Sequence, residues 1–97
     1  MPQFVLLCRD KPDCLSLRME TRPAHLEYFQ SFGNKLHLAG PMLDGDNQPI
    51  GSLIIVEAED ETAARVIAAG DPYNKAGLFA DVGVIPFKSV MANFPAG

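Results

Sequence analysis

The sequence predicts an α+β sandwich of ferredoxin-like topology, a four-stranded antiparallel sheet with two helices on one face. Three observations predict it. Strand-like apolar runs and helical periodicities follow one another in the order β-α-β-β-α-β. "FVLL" (4–7) and "LIIV" (53–56) are continuous apolar runs, as expected of strands covered on both faces. They fall in the first and third strands, which are central in the spatial order 4-1-3-2 of this topology. Pro86 falls in the last strand, an edge, where a missing N–H is tolerated.

Each element has its own warrant. Residues 3–9, "QFVLLCR", are rich in strand formers and are broken by "DKPD". From residue 14 to 32 the pattern turns helical, with Leu15, Met19, Leu26 and Phe29 at apolar spacing and Glu20 and Glu27 left to solvent. Gly33-Asn34 stops that helix. Residues 35–40, "KLHLAG", form the second strand, and "PMLDGDNQP" (41–49) is a turn-rich connection suited to a hairpin. "GSLIIVEA" (51–58) is the third strand. "DETAARVIAAG" (60–70) is the second helix, with Asp60 as its N-cap and Gly70 as its stop. "DPYNKAGLF" (71–79) reads as a polar loop and "ADVGVIPFKSV" (80–90) as the last strand. One domain is expected over residues 1–97, with a core at about 3–88 and an unassigned tail from 89. With both helices on one face, the apolar residues on the other face need a cover. A second copy of the chain, sheet against sheet, is the expected partner, in a homodimer of the dimeric α+β barrel type; the alternative cover is the loop and tail folded back over the sheet, for which seven tail residues (91–97) are few.

The composition narrows the function. The chain carries a net charge of −4 with its basic residues scattered, so neither nucleic acid nor an anionic membrane is an expected partner. No apolar run approaches a membrane span, and the N-terminus lacks the basic segment of a secretory signal, so a cytoplasmic location is expected. Cys8 and Cys14 fit that compartment as free thiols and make no recognisable zinc site with two distant histidines. Neither a glycine-rich phosphate loop nor a dinucleotide pattern is present.

His25, in "TRPAHLEYF", is the leading candidate for chemistry. Either a new helix starts at Pro23, or one helix runs through the proline from about Cys14. The second is preferred because the apolar spacing keeps its phase through residue 23. Arg18, Arg22, His25 and Phe29 then share a stripe, at spacings of four, three and four, that suits an anionic or enolate-like ring. The alternative is a structural or solvated histidine. Asp71 follows the stop of the second helix, whose exit lies on the same side of the sheet as the first helix. It either accepts the Nδ1–H of His25 and leaves Nε2 as a base, or serves a local Asx-turn. Ser52 either offers its hydroxyl to a ligand or ends a turn. Tyr73 either bonds a substrate oxygen or packs on the sheet. Ala39-Gly40-Pro41 either admits a close approach or is a turn. His37 is expected to be exposed on an edge strand, and the acidic run at Glu57, Glu59, Asp60 and Glu61 to be solvated.

Taken together, "DKPD…LRMETRPAHLEYF", "LAGPMLD", "GSLIIVEA", "DPYNKAGLF" and "VIPFK" make the chain resemble the YciI-like (YCII-related) proteins from about Gln3 to Lys88. The resemblance implies a ferredoxin-like fold that dimerises through its sheets and an active site centred on a His–Asp pair, here His25 and Asp71. It implies that Arg22, Ser52 and Tyr73 belong to that pocket; the residues themselves add Arg18, from the helical stripe, and Pro41, from Ala39-Gly40-Pro41, as further candidates for substrate contact. The chemistry it implies is elimination of chloride from a chlorinated hydroxyhydroquinone with no metal or organic cofactor. The expectation is a small enzyme acting on a small-molecule substrate, a small oxygenated ring compound. Two other readings stay open: an anion-binding module working through Arg18 and Arg22, and a sheet-dimerising interaction domain.

Overall fold

A computed structural model describes residues 1–93 of the chain. Strands β1 (Gln3–Asp10), β2 (Leu36–Leu43), β3 (Pro49–Glu57) and β4 (Phe79–Phe87) form one antiparallel sheet in the order β2-β3-β1-β4. The predicted ferredoxin-like arrangement is therefore present, with β1 and β3 central. Helix α1 (Leu15–Gln30) joins β1 to β2, and α2 (Glu61–Gly70) with the one-turn helix α3 (Pro72–Lys75) joins β3 to β4. Part of the tail, residues 94–97, lies outside the described residues, and residues 88–93 form neither helix nor strand.

The period of two along the central strands separates two faces. Phe4, Leu6 and Cys8 of β1 and Ser52, Ile54 and Val56 of β3 are buried toward the helices. Register joins them across the strands, with Leu6 opposite both Ile54 and Val84. Phe29, Ala64, Ala68, Tyr73 and Leu78 close the core above them. Val5, Leu7, Leu53 and Ile55 point to the other face, where they are only half-buried, and Ile85 and Phe87 are exposed beside them.

Element boundaries differ most from the sequence reading around β2 and after α2, and the last strand ends at Phe87 rather than at residue 90. β2 runs through Ala39, Gly40 and Pro41 to Leu43, so these residues lie inside a strand. Pro41 is tolerated because β2 is an edge. The hairpin turn shortens accordingly: Asp44 Oδ1 accepts from the amides of Asp46 and Gln48, and Asn47 takes a left-handed φ of 62°. The predicted loop after α2 contains α3, which starts at Pro72 because Asp71 caps it. Asp60 caps α2 as expected, its Oδ1 accepting from the Ala63 amide at 2.8 Å.

The largest departure concerns the faces of α1. The helix is continuous through Pro23, as preferred. Leu15, Met19 and Leu26, read as its buried stripe, are 40%, 51% and 42% exposed. The residues turned inward are Arg18, His25 and Phe29, all buried. A helix that buries an arginine and an imidazole beside a single phenylalanine needs partners for both polar groups. Those partners define the candidate site.

Candidate active site

Asp71 stands at a junction. It ends α2 with extended backbone (φ −58°, ψ 126°) and caps α3, its Oδ1 accepting from the Tyr73 amide at 2.9 Å. The same oxygen lies 2.9 Å from His25 Nδ1, across 46 residues of sequence. The His25 contact and the Asx-turn posed as alternatives therefore coexist on one atom. With an ionised carboxylate, which only accepts, Nδ1–H donates, and Nε2 has no hydrogen-bond partner among the described residues on a ring that lines the cavity. Asp71 is 1% exposed, and its Oδ2 is buried without a partner among the described residues.

Aromatic packing fixes the imidazole. Tyr73 stacks on it at 4.1 Å between centroids, 21° from parallel, and Phe29 meets it edge-on at 5.1 Å. The Arg18 guanidinium carbon lies 4.4 Å from the Tyr73 ring centre. Burial raises the Tyr73 phenol above its ordinary pKa, and the Asp71 charge adds to this against the lowering effect of Arg18. Tyr73 therefore remains a neutral phenol around pH 7.

Arg18 is held from two sides. Its Nε donates to Asp10 Oδ2 at 2.6 Å and its Nη2 to Asp10 Oδ1 at 3.0 Å, a fork-to-fork pair. Nη2 also donates to Ser52 Oγ at 2.8 Å. Burial works against the guanidinium charge, but the hydrogen bonds and charge of Asp10 outweigh it and raise Arg18 above its ordinary pKa. Sequence reading missed Asp10. It sits at the strand end before Lys11-Pro12, where it read as part of a breaker, and no local spacing pairs it with Arg18.

These groups surround a cavity of about 230 Å³ between α1 and β2. His25, Arg18, Ser52 and Tyr73 line its inner part, while Arg22, Met19, Leu26 and Pro41 line it nearer the outside. All seven sequence-selected residues thus touch one hollow or, as Asp71 does, bond a residue that lines it. Met19 and Leu26, misread as core, are apolar walls of that hollow. His37 lies elsewhere, on β2, with Nε2 3.3 Å from Glu57 Oε2. Among the described residues no group of three or more His, Cys, Asp or Glu is placed to hold a metal ion. Nor is any helix long and apolar enough to cross a membrane.

Fold and cavity together place the chain among small ferredoxin-like α+β domains, here with a buried histidine–aspartate pair beside the sheet. The model of the YCII-related domain matches residues 2–88, and the chain belongs to that family. It is 41% identical to Protein YciI of Escherichia coli over 95 residues, covering 90% of this chain and 97% of that protein. A Haemophilus influenzae protein is 38% identical with the same coverage. Among solved structures it is similar to the 5-chloro-2-hydroxyhydroquinone dehydrochlorinase TftG of Burkholderia phenoliruptrix in complex with 2,5-dihydroxybenzoquinone. That similarity has a TM-score of 0.83 at 33% identity, covering 89% of this chain and 93% of that one.

Proposed function

We propose that this protein is a small enzyme that uses His25 and Asp71 for general acid–base chemistry, without a cofactor, on a small oxygenated ring of the quinol type. The reaction class is a lyase-type elimination, such as loss of hydrogen chloride from a chlorinated hydroxyhydroquinone. The reacting form is the ring's keto tautomer, in which a hydroxyl proton has moved to the chlorine-bearing carbon. His25 Nε2 takes a second hydroxyl proton, the electron pair left on that oxygen shifts through the ring and expels chloride from that carbon, giving the hydroxyquinone, and the imidazolium then returns its proton to solvent. Asp71 holds the tautomer and stabilises the charged imidazole. Arg22, on the rim, and Ser52 face the oxygen that gains negative charge. The active unit in this reading is a homodimer with the open sheet faces opposed.

The single observation that carries this reading is the 2.9 Å His25–Asp71 contact at a cavity wall. Support comes from size, because about 230 Å³ is less than the ~300–1,000 Å³ of drug-sized sites and suits one substituted ring. Further support comes from the similarity to a dehydrochlorinase holding a dihydroxybenzoquinone. Chloride release from 5-chloro-2-hydroxyhydroquinone is the assay. His25→Asn is expected to lower kcat by about 10²–10⁴-fold, and Asp71→Asn by a smaller factor with KM little changed. Wild-type rates in both variants would exclude the dyad, and no chloride release by the wild type would exclude this substrate.

One observation favours a second reading, an anion-binding module. Arg22 is an exposed cation on the cavity rim with no ion pair among the described residues. That reading predicts ligand affinity that survives His25→Asn, falls with Arg22→Ala, and is accompanied by no turnover.

A further inference from the structure

A hydrogen-bonded chain that His25 and Asp71 do not use runs from Asp10, behind the cavity wall, to two residues that line it. Asp10, at the end of β1, grips Arg18 with both carboxylate oxygens, at 2.6 and 3.0 Å. Arg18 passes the second hydrogen of Nη2 to Ser52 Oγ at 2.8 Å. The side chains of Arg18 and Asp10 are 4% and 7% exposed, and Ser52 is 2% exposed. A guanidinium only donates, so the Ser52 oxygen must act toward it as an acceptor. The serine's own hydrogen finds no acceptor among the described residues. Ser52 lines the cavity with His25, so that hydrogen is left for an occupant. A cationic donor on the oxygen polarises the hydroxyl and makes it a stronger donor.

We infer that Asp10 is a positioning residue that, through Arg18, makes the Ser52 hydroxyl an oriented donor to the substrate oxygen carrying negative charge. The inference rests on the acid–base reading above and supplies its second half. His25 receives the proton, and the charge left on the ring oxygen meets the Ser52 hydrogen. No bond to Ser52 forms, and its proton stays on Oγ. Asp10 is needed because Arg18 without it would be a buried cation free to swing toward water, releasing Oγ. The array selects ring compounds whose oxygen can ionise, over the same rings with that oxygen methylated.

The test is a double-mutant cycle on binding, with 2,5-dihydroxybenzoquinone as the probe and isothermal titration calorimetry as the readout. This compound is a vinylogous acid that carries charge on its ring oxygens near neutral pH. Ser52→Ala and Asp10→Asn are each expected to weaken binding by about tenfold, the loss of one charge-assisted hydrogen bond. The double variant is expected to bind within about twofold of Ser52→Ala alone, because Asp10 acts only through the serine. Multiplicative losses, as a purely structural role would give, or full affinity in Asp10→Asn, would overturn the inference. Should Asp10→Asn not fold, Arg18→Lys replaces it in the same cycle, since an ammonium cannot span both partners with a planar fork. His25→Asn separates the two readings: lost turnover with the cycle still coupled supports both. Retained turnover with a coupled cycle removes the dyad alone. A wild-type protein that does not bind the probe overturns both.

Discussion

At the scale of single residues, the site combines groups that each depend on a neighbour to be tolerable in the interior. Asp71, at 1% exposure, places one oxygen on both an amide and an imidazole and keeps the other without a partner among the described residues. Cys8, on the floor of the core, shows the opposite solution and stays uncharged. Burial, followed by the repulsion of Asp71, pushes its thiol from 9.0 up to about 12. This has a signed consequence for stability. Above pH 9 the unfolded chain releases the thiol proton while the folded chain keeps it, so the unfolded state is increasingly favoured. Stability is expected to fall between about pH 9 and 12, by up to about 4 kcal/mol from this group. Tyr28 and Tyr73, also raised by burial, act in the same direction. Urea titrations at pH 8 and pH 10.5, with Cys8→Ala as the control, measure the effect. An equal pH dependence in the variant would assign it to the tyrosines alone. Native Cys8 is likewise expected to resist iodoacetamide at pH 8 until the protein unfolds.

At the scale of elements, α1 and the end of α2 are fastened by a contact beside the one between His25 and Asp71. Tyr28 of α1 sends its hydroxyl to the Ile67 carbonyl at 2.8 Å, satisfying one of the orphan acceptors in the last turn of α2. Its ring lies where a Cβ on Gly70 would be, and such a Cβ would meet the Tyr28 Oη. Glycine is required at residue 70 for this close approach. Gly70→Ala is expected to cost about 1–3 kcal/mol and to lower turnover by displacing Asp71, the next residue. Combining it with Tyr28→Phe should recover part of the loss, because the hydroxyl is gone. Thermal unfolding of the single and double variants decides this, and strictly additive losses would show that the two residues do not meet. Pro23 makes a different prediction. It sits inside α1 and leaves the Met19 carbonyl without its amide partner. Pro23→Ala is expected to stabilise the protein by roughly 1–3 kcal/mol. An unchanged or lower melting midpoint would mean that the surrounding structure is shaped around the proline.

At the scale of the whole molecule, the sheet has one finished face and one open face. The helices cover Leu6, Ile54 and Val56 completely. Nothing among the described residues does the same for Val5, Leu7, Leu53 and Ile55, which adjoin exposed Ile85 and Phe87. Contiguous apolar surface of this kind marks an interaction site, and a two-fold pair would bury it. Ile55→Asp is expected to convert the proposed dimer to a folded monomer, read by sedimentation equilibrium together with circular dichroism. A dimer that persists in Ile55→Asp would place the interface elsewhere.

The sequence by itself determined the strand order, the capped second helix, the continuity of α1 through Pro23 and the edge position of Pro86. Each depends on local rules: alternation, capping oxygens, periodicity and a missing N–H. It also supplied the seven residues gathered at the cavity, Asp71 among them because a carboxylate directly after a helix stop is locally conspicuous. Local rules misled where tertiary contacts overrode them. Leu15, Met19 and Leu26 have the spacing of a buried stripe, but α1 turns Arg18 and His25 inward instead. That orientation is favoured because Asp10 and Asp71, 8 and 46 residues away, satisfy the two polar groups. Only the folded chain could choose between the two faces of that helix. The energy separating them lies in hydrogen bonds made to other elements, and no spacing within residues 15–30 encodes those.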